Sequence, residues 1–475
     1  MTNALPFPCA TEAARAEGSE GDCLDPKGTL LATILGSSLA FIVGSIINVA
    51  LPQMEATFDA GPTGIQWIVN AYLLPLGALV LIGGAMGDIY GRKLIFQWGL
   101  GIFSVACIIC AVAWSLPVLL FGRALEGIGA AMLAPTSLAI IADGFSGRAR
   151  SAAIGTWAAA GAAAGAAAPL LGGIIVDVAG WRWAFVAVTP IAIYAMIVAR
   201  KSVRESKARE DSSALDWTGA GLSGSGLFAL IWALIALPDQ GPTAPVLAAL
   251  VIGTALLFSF VAVERRLGDA AMTPLVLFHN PTFSGLSLLT LCLYAALGGL
   301  LVLLPYVLIR ELGYSATAAG AAILPFPLVM GLLSRFVGGA MTDRYGTRTL
   351  LVAGSVLVAL GFALFAQIPS GEVVYWLHLF PGLIVMALGM AASVAPLTTA
   401  VLNSAGARYT GVASGINNAI SRIAGLLATA FLGLVLIGAA DDLIAGFAAA
   451  AWAGVALSLL SAATAYLLVA RTEPA

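Results

Sequence analysis

Apolar residues in this chain run in long blocks broken by short polar turns, with none of the alternation a half-buried strand would show. About 20 consecutive apolar residues cross a bilayer as a helix. Fourteen such spans are predicted, at 29–53, 66–87, 94–114, 116–142, 151–176, 182–199, 216–237, 243–263, 282–309, 315–341, 348–368, 373–402, 409–438 and 444–470. Most connections are short, so consecutive spans are antiparallel. Strands are excluded, because an open sheet edge leaves its backbone groups unsatisfied in lipid.

Lysine and arginine fix the direction. With the amino terminus inside the cell, seventeen of the 22 basic residues fall on the inner side. Only Arg182 and Arg310 fall outside, and Arg123, Arg335 and Arg422 lie within spans. The outer turns carry acids instead, among them Glu55, Asp59, Asp239 and Glu372. Composition agrees: 60% of residues are hydrophobic and 10% charged, too few charges to cover a surface in water. A net charge of −2 gives no reason to expect nucleic acid. The first 28 residues are polar, without the apolar core of a signal peptide, and read as a cytoplasmic tail.

Little else suggests soluble chemistry. Cys107 and Cys110 spell C-x-x-C inside "FSVACIICAVAW", where they read as small apolar residues on one helix face rather than a redox or metal site. His279 and His378 have no nearby partner that would make a metal site, and no phosphate-binding P-loop points to ATP. A membrane-embedded enzyme or scaffold would need a catalytic constellation or a soluble module, and neither is found. No cofactor is expected.

One turn occurs twice. "GGAMGDIYGRK" (83–93) and "GGAMTDRYGTR" (338–348) share Gly-Gly-Ala-Met, then Asp, Tyr and Gly, and both end on a basic residue, at an offset of 255. A weaker echo pairs "LAPTSLAI" in span 4 with "VAPLTTAV" in span 12. The repeated turns follow spans 2 and 10. Two six-span halves with two extra spans between them satisfy both facts. The predicted organisation is a tail (1–28), a six-helix bundle (29–200), a linker (201–215), two inserted helices (216–263), a loop (264–281), a second bundle (282–470) and a short tail (471–475). Parallel helical repeats meeting at a central cavity are transporter architecture.

The motifs resemble one family in particular. "GAMGDIYGRK" resembles the G-x-L-A-D-R-x-G-R-K turn of the major facilitator superfamily, with Ile89 in place of the first Arg. "RALEGIGAA" in span 4 resembles its R-A-x-Q-G-x-G-A-A stretch. "APLLGGIIVD" in span 5 resembles the antiporter signature G-P-x-x-G-G, with Ala168 for the first Gly. "NVALPQM", "WIVNAYLL", "WRWAF", "LDWTGAG" and "GVASGINNAISRIAG" follow in the expected order. Over nearly its whole length the chain is similar to the fourteen-span drug:proton antiporters of the QacA/EmrB type. The resemblance implies an all-α polytopic fold of two six-helix bundles plus an inserted pair. It also implies secondary export of hydrophobic compounds, cations among them, in exchange for protons. The expected setting is a bacterial cytoplasmic membrane, with both termini inside, a small-molecule substrate, lipid and protons as partners, and a functional monomer.

Charges inside spans are costly and raise functional questions. Arg123 and Glu126 are three apart on span 4, hence on one helix face. The family pattern places an acid in span 1 where this chain has Val43, and a Gln where it has Glu126. Glu126 is therefore expected to carry the coupling proton: burial disfavours its anion and Arg123 favours it. A permanent Arg123–Glu126 ion pair that only fixes packing is the plainer account. The missing span 1 acid equally suits a carrier or facilitator for one endogenous metabolite, without proton coupling. The cavity is expected to be lined by Ser45, Asn48, Asn70, Tyr72, Glu126, Trp157, Tyr294, Phe326 and Asn417. Gly84, Asp88, Gly91 and Arg92, with Asp343, Gly346 and Arg348, are expected to latch the halves together on the inner side. Pro169, Gly172 and Gly173 are read as a hinge in span 5, with close packing as the alternative.

Overall fold

Proline opens and glycine closes many of the helices, as expected of residues that lack an amide donor or a Cβ. The structure, a computed structural model, describes residues 25–207, 216–268, 271–336, 341–369, 371–438 and 442–470. The first bundle holds α1 (Pro26–Phe58), α2 (Gly61–Tyr90), α3 (Arg92–Ala111), α4 (Leu116–Gly144), α5 (Gly147–Ala179) and α6 (Trp181–Ser202). The inserted pair is α7 (Trp217–Gln240) and α8 (Ala244–Leu267). The second bundle holds α9 (Pro281–Arg310), α10 in two pieces (α10a, Ala316–Ile323; α10b, Pro325–Phe336), α11 (Thr347–Phe365), α12 (Phe380–Ser404), α13 (Gly406–Gly438) and α14 (Leu443–Leu468). No strand occurs among the described residues.

Each predicted span corresponds to one of these helices, with two local differences. Span 10 is broken at Leu324, just before Pro325, whose ring cannot continue the preceding hydrogen-bond ladder. Span 12 begins with a wider turn over Tyr375–Leu379, where Val374 N–H donates to His378 Nδ1 (2.9 Å). Helices also overrun their apolar blocks: α1 has 33 residues, about 50 Å at 1.5 Å per residue. The tail before Asp25, residues 208–215 of the linker, 337–340 of the second turn, and the side chains of Arg335 and Asp343 lie outside the described residues.

Packing repeats with the sequence. In the first bundle α2 packs on α4, α3 on α4, α1 on α5 and α6, and α3 on α6. In the second, α10b packs on α12, α11 on α12, α9 on α13 and α14, and α11 on α14. Each pair is the other displaced by eight helices. Both repeated turns use a glycine with positive φ to join one helix end to the next, Gly91 at 126° and Gly346 at 79°. The bundles meet along two seams, α2 against α13 and α5 against α10a. Helix α7 covers the first seam, burying Leu227, Ile231 and Ile235 against Leu74 of α2 and Leu426 and Ala430 of α13. Helix α8 lies outside α7 and buries only Val246, Gly253 and Glu264.

Candidate substrate cavity and coupling site

A cavity of about 440 Å³ lies between the bundles. Helix α1 gives it Ser37, Phe41, Ser45 and Asn48, whose spacing puts them on one helix face. Helix α5 gives Trp157, then Gly161, Gly165 and small alanines that widen the space. Tyr294 of α9 and Phe326 of α10b close the opposite wall. Ser45, Asn48, Trp157, Tyr294 and Phe326 thus stand on the wall together. The indole N–H of Trp157 has no hydrogen-bond acceptor.

Four expected lining residues do not stand there. Asn70 accepts from the Thr429 hydroxyl, a tie between α2 and α13. The Tyr72 hydroxyl donates to the Ala40 carbonyl (3.0 Å). Asn417 accepts from Thr290 (2.8 Å). Glu126 faces away from the cavity, into the first bundle. A polar group in a membrane interior needs a partner, and these found theirs on neighbouring helices.

Glu126 and Arg123 are 0% and 1% exposed and pair at 2.6 Å. The Cys107 thiol donates to the other Glu126 oxygen (3.1 Å). Arg123 also donates to the Ile68 carbonyl (3.2 Å) and lies over the Tyr72 ring at 4.6 Å. The pair is thus enclosed by α2, α3 and α4. Cys107, read from sequence as a plain apolar residue, is the second partner of Glu126; its chance of being so lay in the helix pairing, which sequence does not display. Val43, where the resemblance expects an acid, is buried in helix packing.

The acidic face is sealed by backbone laid on glycine. A Cβ at Gly173 would collide with the Ala316 carbonyl, and one at Gly320 with the Pro169 carbonyl. Gly172 leaves the same kind of room for Ile46. Helix α5 runs unbroken through Pro169 here, so its glycines serve close approach. Two carboxylates reinforce the seal. Asp177 accepts from the N–H groups of Ala316 (3.0 Å) and Thr317 (2.8 Å), capping α10a from the other bundle. Glu55 accepts from the Tyr306 hydroxyl (2.9 Å), with Arg310 at 3.9 Å. The sequence marks Glu55 only as one acid among several in the turns of that face and does not single out Asp177, whose one hint is its place one turn after Gly172–Gly173.

The repeated turn is anchored within its own bundle. Arg92 pairs with Asp88 (2.9 Å) and reaches Asp143 at 3.5 Å. Glu205, after α6, accepts from Lys93 N–H and Leu94 N–H (both 3.0 Å) and caps α3. Gly84 packs against Pro135. In the second copy Arg348 lies over the Tyr466 ring at 4.4 Å. The expected bridge between halves is not among these contacts: every described partner of Asp88 and Arg92 lies in the first bundle or in the linker that follows it, where the Ser206 carbonyl accepts from Arg92 N–H (2.9 Å). In this conformation the described ties between the halves include those on the acidic face, Asp177 to α10a and Glu55 to Tyr306.

The Major Facilitator Superfamily profile matches residues 33–429. The chain belongs to the major facilitator superfamily. Among the proteins that it resembles are the puromycin resistance protein pur8 of Streptomyces alboniger, 30% identical over 94% of this chain and 92% of its own length, and the methylenomycin A resistance protein of Bacillus subtilis, 32% identical over 86% and 87%. A bacterial homologue of the human lysosomal transporter Spinster, solved inward-facing and occupied, shares the superfamily fold at a TM-score of 0.70 and 19% identity, covering 96% of this chain and 100% of that one. The peptide transporter PepTSo also superposes at 0.70, with 13% identity over 93% and 97%. This member is a multi-pass membrane transporter of small molecules.

Proposed function

We propose that the protein exports hydrophobic drug-like compounds by alternating access, in exchange for protons. The observation that carries the reading is the apolar cavity between two repeated bundles, with backbone packed closely on glycine toward the acidic face. Relatives across nearly the whole chain are named for drug resistance, which supports export of that kind of cargo. The basic face is read as cytoplasmic, so both termini lie inside a bacterial cytoplasmic membrane. The transporter works as a monomer, with the proton gradient in place of a cofactor.

Glu126 is the proposed proton carrier and Arg123 its partner. Loading would neutralise the acid, loosen the 2.6 Å pair and free Arg123 to shift against Tyr72. Tyr72 touches α1 through Ala40, one residue from the cavity residue Phe41, which links the pair to the cavity wall. The enclosure of the pair favours a second reading, a facilitator in which Arg123–Glu126 only fixes packing. Reconstituted protein decides between them. If Glu126 carries the proton, Glu126→Gln loses uptake driven by an imposed pH gradient and keeps substrate exchange between compartments. Unchanged gradient-driven transport in that variant refutes the assignment. Absence of a gradient effect in the parent protein establishes the facilitator.

A further inference from the structure

The resemblance brings an expectation of cationic cargo, and the charge around the cavity runs the other way. No acid or base stands on the cavity wall among the described residues. Glu126, the carboxylate expected to attract cations, faces away and is neutralised by Arg123. Arg422 stands behind that wall, against the lining residue Phe41.

Arg422 stands at the middle of the 33-residue α13, too deep to reach either interface. Gly77 on α2 leaves room for its stem, with 3.6 Å from Arg422 Cβ to where a Cβ would stand. Its guanidinium crosses to α1 and lies 5.7 Å from the ring centre of Phe41, a cavity residue. It makes no ion pair with any described carboxylate. A guanidinium at membrane depth without an anion is costly, and an aromatic face offsets only part of that cost. Trp157 adds a second donor without an acceptor, on the facing wall.

We propose that Arg422 is the anion-recognising residue of the cavity, and that the compounds exported are flat apolar molecules bearing a carboxylate or phenolate. This rests on the cavity being the substrate site, as read above. The ring of such a compound lies between Phe326 and Trp157. Its acidic group takes the guanidinium donors, an arrangement that an ammonium group would meet with repulsion. Acceptors on the ring edge suit the Trp157 N–H.

Three probes of one shape and different charge test this: 2-naphthoate, 2-naphthamide and 2-naphthylmethylammonium. Binding to the purified full chain in detergent is measured by titration calorimetry at neutral pH. The acid is expected to bind about tenfold more tightly than the amide, since a charge-assisted hydrogen bond is about twice as strong as a neutral one, and the amine is expected to bind most weakly. Arg422→Gln should bring the acid to the level of the amide, whose retained affinity reports a folded cavity; Arg422→Lys should keep part of the preference. Phe326→Ala should weaken all three probes alike. An amine that binds as tightly as the acid, or an acid-to-amide ratio unchanged in Arg422→Gln, overturns the proposal while Phe326→Ala still upholds the cavity. If no probe binds, or Phe326→Ala changes none, the cavity reading falls and the anion site with it.

Discussion

Replacing Asp177 with Ala isolates the outer seal, because the carboxylate ties α5 to a helix of the other bundle and to nothing else essential. Helix α10a keeps its own cap, since Ser315 Oγ accepts from Ala318 N–H (3.1 Å). What is lost is a contact present only while the outer ends meet. Capping side chains are worth about 1 kcal/mol, and this one is exposed to solvent, so no more than that is expected. About 1 kcal/mol moves a two-state equilibrium about fivefold toward the state without the contact. Spin labels at Ala179 and Glu311, in a background with Cys9 and Cys23 replaced by Ser, report the outer separation by double electron–electron resonance. The long-distance population should rise about fivefold relative to the short one in Asp177→Ala, and less in Tyr306→Phe, which removes the partner of Glu55. A distance distribution unchanged by Asp177→Ala refutes the seal.

Other expectations concern the anchors. Gly91→Ala meets both a φ of 126° and the Glu205 carboxylate, 2.6 Å from where the Cβ would stand; Gly61→Ala meets only a φ of 59° in open space. The first should lower stability by roughly 2 kcal/mol or more and the second by about 1 kcal/mol, read as unequal losses of thermal midpoint in detergent. Asp88→Asn breaks a part-exposed pair worth less than about 1 kcal/mol, so the yield of folded protein should hold while turnover in proteoliposomes slows. A fall in yield matching the fall in transport would make the turn purely structural. Asp25 caps α1 through Gly28 N–H and accepts from Ser202 Oγ, and the Gly28 bond foremost holds its carboxyl below the usual value of 3.8. A folded-state value below the unfolded one stabilises above the unfolded value and is lost as pH falls. The stability gap between parent and Asp25→Asn should therefore be full above about pH 4 and close below it.

The helices, their number and their pairing by halves could be read from apolar blocks, basic turns and one repeated motif. These are properties of single helices and of chain order. Rotation of a helix about its axis could not be read so simply. Ser45 and Asn48 face the cavity, yet Asn70 and Asn417, equally polar and equally central, face Thr429 and Thr290. In a membrane helix a polar residue marks either a wet wall or a buried partner, and only the neighbouring helix distinguishes them. The same ambiguity hid Cys107, whose role depends on α3 lying against Glu126. Arg422 was visible as an intramembrane charge, but its direction toward Phe41 depends on Gly77 of another helix.

The position of α7 has a consequence for how cargo arrives. Two seams join the bundles, and each could let a lipophilic molecule slip sideways from the bilayer. One is shuttered by the inserted pair, with Trp67 of α2 against Phe228 of α7 at 6.0 Å and α8 behind. The other, between α5 and α10a, is closed by backbone itself, with Gly173 against Ala316 and Gly320 against Pro169. A molecule entering sideways past α2 and α13 would therefore have to displace α7 as well.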